Sequence, residues 1–99
     1  MCLAEVSIVP VGTNDASFSS FVAEATKVAD QMGVKYQITP TATVLEGDLH
    51  KVLNCAQQMH SAAINAGATR VVTSVVIDER RDKSLTMEDA ISSVNASMH

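Results

Sequence analysis

Two stretches of helical periodicity, each enclosed between short stretches of strand periodicity, constrain this chain more than any other feature. Residues 2–9 alternate: Cys2, Ala4, Val6 and Ile8 point one way, and Leu3, Glu5, Ser7 and Val9 the other. Pro10 and Gly12 end that strand, because proline cannot donate to a ladder and glycine permits a turn. Residues 17–32 place Phe18, Phe21, Val22, Ala25, Val28, Ala29 and Met32 on one apolar stripe. Ser17 is positioned to cap that helix and Gly33 to end it. Residues 34–39 and 41–46 read as two strands joined tightly at Thr39-Pro40-Thr41. Residues 49–66 form a second amphipathic helix, capped by Asp48 and ended by Gly67. Residues 70–78 carry the strongest strand signal, from their valine and isoleucine density. A last helix spans about 86–97. Thr86 followed by Asp89 approximates a capping box at its start.

The order β-α-β-β-α-β with right-handed crossovers puts both helices over one face of the sheet. The expected fold is therefore α+β: a ferredoxin-like βαββαβ sandwich in a single domain spanning residues 1–99. Its four-stranded sheet is antiparallel, with helices on one face and an added C-terminal helix. The strands are apolar in both phases, whereas a sheet with one solvated face alternates more cleanly. The uncovered face thus calls for a second layer. Either the protein forms a homo-oligomer, sheet stacked on sheet with help from the last helix, or that helix alone folds over the face.

Charge and side-chain chemistry exclude several function classes. The chain has 7 Lys and Arg against 11 Asp and Glu, and its aromatics are Phe18, Phe21 and Tyr36. That leaves neither a basic surface nor stacking platforms for nucleic acid. No apolar run is long enough to span a bilayer. With no secretory leader at the N-terminus and no C-x-x-C, the expectation is a cytoplasmic protein with reduced Cys2 and Cys55. His50, His60 and His99 share no metal-ligand spacing, so no metal or cofactor is expected. Phosphate-cradling and nucleophile-elbow motifs are lacking too.

The main candidate for chemistry is Glu46. It ends the strand Thr43-Val44-Leu45-Glu46, with Gly47 and the helix-capping Asp48 immediately after. A carboxylate at a strand-to-helix corner can hold a cation or an amine, or can equally be paired with a basic side chain.

Val9-Pro10-Val11-Gly12-Thr13, Thr43 to Gly47 and Arg80-Arg81-Asp82-Lys83 occur in this order. On these segments nearly the whole chain, roughly residues 2–95, resembles the thiamine-binding-protein-like family of small ferredoxin-like proteins. It departs from the usual Gly-containing turn at Thr41-Ala42. The resemblance implies homodimers or homotetramers and binding of thiamine, or its hydroxymethylpyrimidine part, without an established reaction. The implied ligand needs a carboxylate, hydroxyls and a flat apolar wall. Glu46 would supply the carboxylate, and Thr43 and Ser7 hydroxyls from the sheet. Glu5 is a second carboxylate, or an ion-pair partner for Arg70 or Arg80. Thr13 contacts ligand or shapes the turn beside Gly12, and Tyr36 stacks on a pyrimidine or packs at an interface. The expectation is a non-catalytic small-molecule binder, with a regulatory or assembly module as the alternative. An acid–base enzyme built on Glu5 and Glu46 lacks a nucleophile.

Overall fold

The computed structural model describes residues 1–12, 18–83 and 85–98, the side chains of residues 18 and 19 excepted. The expectations for Thr13, Ser17, His99 and the Phe18 side chain fall outside the described residues.

The elements run β1 (Cys2–Pro10), α1 (Phe18–Gln31), β2 (Lys35–Ile38), β3 (Thr43–Gly47), α2 (Leu49–Asn65), β4 (Val71–Glu79) and α3 (Met87–Met98). The sheet is antiparallel throughout, in the order β2-β3-β1-β4. This is the ferredoxin-like α+β arrangement that the order of periodicities dictates. The predicted boundaries hold to within two residues. The turn between β2 and β3 is wider than a two-residue hairpin. Thr39 closes it with both backbone and side chain, its N–H donating to the Ala42 carbonyl and its hydroxyl also bonding there. Pro10 belongs to β1 rather than ending it, paired with Val71 alone. β3 has stopped pairing by then, at Val6 against Thr43, so the missing proline N–H breaks no ladder on that side.

The core lies between α1, α2 and one sheet face. Ala4, Val6 and Leu45 meet Ala25, Ala29, Val52, Cys55, Met59 and Ala63 there, all essentially inaccessible. Burial pushes both cysteine thiols up from their ordinary value, so Cys2 and Cys55 act as small apolar core residues. Two helix ends follow the predicted chemistry. The Asp48 carboxylate accepts from the Lys51 N–H at 2.9 Å, and Gly33 takes φ 69° after α1, a conformation that costs glycine nothing.

The opposite face is bare over most of its area. Val9, Val72 and Val76 stand exposed on it. The last helix does not fold over them. Beyond Met87 every residue of α3 is exposed, and the domain's long axis reaches 44 Å. Its radius of gyration, 14.5 Å, exceeds the roughly 13 Å of a compact chain this size, as a projecting helix requires.

Candidate functional site

Side chains alternate along each strand, so the register decides which candidates can share a ligand. Leu3 pairs with Glu46, Glu5 with Val44 and Val76, and Ser7 with Ser74. Glu46, Glu5 and Ser7 therefore lie on the bare face. Val6 pairs with Thr43, and Leu45 with both Ala4 and Tyr36. Thr43 and Tyr36 therefore lie on the helix-covered face. The sequence-level grouping of all five around one ligand is corrected by this period of two: the sheet sends their side chains to two faces, although Ser7 still borders the same cavity as Thr43.

The first place is the corner at Glu46. The carboxylate is 8% exposed, and both its oxygens have partners within the chain. Oε1 accepts from the Met87 N–H at 2.7 Å, at the first turn of α3. Oε2 lies 3.5 Å from the Lys35 ammonium, which also pairs with Glu88. A buried anion thus sits at a helix N-terminus, where the orphan N–H groups and the dipole favour it. Thr86 supplies the expected cap, its hydroxyl accepting from the Asp89 N–H at 3.0 Å. Neither Lys35 nor the Met87 N–H was legible as a partner of Glu46, because both come from distant segments.

These pairings set a pH window. The hydrogen bond to Glu88, with Glu46 adding to it, holds Lys35 above its ordinary value, and the same bond holds Glu88 below its own. A lowered carboxyl lends stability above its unfolded value and loses it as pH falls through the folded value. A raised ammonium lends stability below its unfolded value and loses it as pH rises through the folded one. Amide protection of the first α3 turn should therefore be flat across neutral pH. It should decline slightly below the ordinary glutamate range and again above the ordinary lysine range. The amplitude is small because the Lys35–Glu88 pair is exposed. A maximum in the acidic range, seen by hydrogen exchange, would contradict this.

Glu5 is exposed at the middle of the bare face, between two valines. Its expected ion pair with Arg70 or Arg80 is absent among the described residues, and Arg80 instead grips Asp82 through two bonds of 2.9 and 2.6 Å. The two lie only two residues apart in one loop, so Asp82 reaches the guanidinium at little entropic cost.

The second place is a cavity of about 300 Å³ at the end of the sandwich, between β1, α1 and the β2–β3 turn. Val6, Ile8, Val22, Ala25 and Met59 give it apolar walls, and the turn from Ile38 to Thr43 closes one side. Among the described residues no lining side chain is ionisable. Thr26 lines it too, but its hydroxyl is committed to the Val22 carbonyl at 2.8 Å. Thr43 differs. It is 4% exposed, it borders the cavity, and among the described residues its hydroxyl has no hydrogen-bond partner. No buried polar side-chain atom among the described residues lacks a partner, so this hydroxyl is open to the hollow rather than sealed, and is suited to a ligand. Tyr36 packs against the core instead of lining this cavity. The cavity itself was not legible in the sequence. Ala25 and Pro40 read there as stripe and turn.

Among the described residues no cluster of His, Cys, Asp and Glu could hold a metal ion, and no helix is long and apolar enough to cross a membrane.

Residues 4–95 match the family model described as thiamine-binding protein. The chain is 40% identical to the UPF0045 protein YqgV of Bacillus subtilis, over 96% of this chain and 95% of that one. The crystal structure of the hypothetical protein MJ1052 of Methanocaldococcus jannaschii superposes with a TM-score of 0.87 at 39% identity, covering 95% of each chain. A domain of unknown function from Bacillus cereus superposes with a TM-score of 0.80 at 32% identity, covering 91% and 86%.

Proposed function

This chain belongs to the thiamine-binding protein family, and from that premise we propose that it holds thiamine, or its hydroxymethylpyrimidine part, in the cavity beside Thr43 and releases it unchanged. The observation that carries the reading is the Thr43 hydroxyl, which opens onto a largely apolar hollow and makes no hydrogen bond to the described residues. A hydroxyl both donates and accepts, which suits an aminopyrimidine edge. The pyrimidine is the end that enters. Placing the permanently positive thiazolium against the described lining, which carries no counter-charge, would be costly, so that ring stays at the mouth. Glu46 is not the ligand's carboxylate in this reading, because both its oxygens already serve α3 and Lys35. Among the described residues the cavity offers no activated nucleophile and no acid–base pair, which supports sequestration or delivery in the cytoplasm as the role.

Calorimetric titration tests this. Hydroxymethylpyrimidine should bind about as tightly as thiamine. Thr43→Val should weaken both about tenfold, the worth of one hydrogen bond, while leaving the melting temperature unchanged or slightly higher. A regulatory or assembly module with another ligand would give no heat with either compound, and that result would overturn the proposal.

A further inference from the structure

The cavity beside Thr43 has a neighbour. A groove of about 450 Å³ runs between α1 and β2, and it shares Val22, Thr26 and Ile38 with the cavity as a common rim. Tyr36 lines the groove while packing against the core on its inner side. Ile38, two residues further and so on the same face, stands 61% exposed at the rim. Two charged side chains of α1, Lys27 and Asp30, line the groove as well. The Lys27 ammonium pairs with Glu24 at 3.0 Å, one turn back along the helix. Asp30 is exposed, and its carboxylate makes no hydrogen bond or ion pair with the described residues. It stands in the last turn of α1, which holds no basic residue and where the macrodipole disfavours an anion. The fold gains nothing from this charge. A local rule broken without a structural return marks a place where function is to be sought.

We propose that the groove seats the thiazolium of thiamine, its ring face against Tyr36 and its positive charge met by Asp30. This rests on the reading that the pyrimidine enters the cavity beside Thr43. One methylene joins the two rings of thiamine, so the second ring must lie just outside the shared rim. A cation over an aromatic face is attracted by the ring's quadrupole, and an opposite charge alongside adds to that attraction. Lys27 does not oppose it while its own charge is met by Glu24. Ile38 is covered by the ligand in the same step. Each contribution is modest, because the groove is open to water. Together they compensate: a cation tethered at the mouth loses part of its hydration and its freedom, and Tyr36 with Asp30 offsets that loss. Thiamine and its pyrimidine half therefore bind alike in the native chain, and come apart once the groove is altered.

Calorimetry with thiamine, hydroxymethylpyrimidine and deazathiamine tests the groove apart from the cavity. Deazathiamine is the neutral isostere in which carbon replaces the positive nitrogen. Asp30→Asn should weaken thiamine about fourfold and Asp30→Lys at least about tenfold, with the two neutral ligands held within about twofold. Tyr36→Leu keeps an apolar side chain but removes the ring face. It should weaken thiamine about fivefold, deazathiamine less, and hydroxymethylpyrimidine not at all. Asp30→Asn should melt at the native temperature or slightly above it, the helix end being relieved of its anion. Both Asp30 variants alter an exposed side chain, so they carry the test by themselves if Tyr36→Leu fails to fold. Full thiamine affinity in Asp30→Lys would overturn the groove, and the cavity would stand if Thr43→Val still weakened both thiamine and hydroxymethylpyrimidine. Equal weakening of hydroxymethylpyrimidine by Asp30→Lys would overturn the groove too, since that ligand has no thiazolium to repel. No heat with any of the three ligands would end both readings.

Discussion

Replacing Glu46 by alanine should free the first turn of α3 from the sheet and lower the melting temperature by roughly 8 to 15 °C. The substitution removes a charge-assisted hydrogen bond at 2.7 Å, worth about 1.5–3 kcal/mol. It leaves the Met87 N–H without its acceptor beneath a side chain that is itself buried. It also removes one of the two anions that hold Lys35 in place. A loss near 2 kcal/mol moves the midpoint of a domain this size by that many degrees. The change is local in origin, because Glu46 points away from the core between the helices and the sheet. Amides at the start of α3 should lose their exchange protection to local opening, while those of β1, β3 and α2 should lose only what the roughly 2 kcal/mol drop in global stability takes from them. Glu46→Gln keeps an acceptor for the Met87 N–H and should lose about half as much. Neither variant should weaken ligand binding by more than about twofold, since the cavity lies on the other side of the sheet. Unchanged protection at the start of α3 in Glu46→Ala would refute the anchoring role. A large loss of binding in Glu46→Gln would restore this carboxylate as a ligand contact.

That experiment also marks where sequence reading stops. The strand from Thr43 to Gly47 and the cap at Asp48 were legible because both obey local rules: a period of two, then a side chain reaching three residues ahead. The same period of two already implied that Thr43 and Glu46, three residues apart on one strand, face opposite ways. The pull of shared chemistry nonetheless placed them together. The partners of Glu46 were not legible. Lys35 precedes it by one element and Met87 follows it by three, and nothing local connects them. The bare face was foreseeable, because valines in both phases of β4 cannot all turn inward. That Glu5 stands on it without an ion pair among the described residues was not. A charged residue amid an apolar strand suggests an ion pair, and only the register reveals valines on both sides. A hollow is harder still to read, since it is defined by what side chains fail to fill. Ala25 and Thr26 carry the same signal whether a larger neighbour covers them or not.

Filling the hollow should separate the two properties that a binding site trades against each other. Ala25 lies on α1, is almost wholly buried, and lines the cavity with a methyl group. Ala25→Leu adds three heavy atoms to a space of about 300 Å³ that is already present. In a well-packed core such an insertion costs about 1–3 kcal/mol through strain. Here the added methylenes have somewhere to go, and each contributes up to about 0.8 kcal/mol on leaving water. The balance favours burial, so the melting temperature should stay level or rise by a few degrees. Thiamine and hydroxymethylpyrimidine would then find the ring's seat occupied and should bind at least about a hundredfold more weakly. Stability held with affinity lost is the combination that places the ligand in this cavity. Undiminished binding would place it elsewhere. A midpoint lowered by ten degrees or more would mean that the space at Ala25 is already closed in solution, and the Thr43 hydroxyl would then need another explanation.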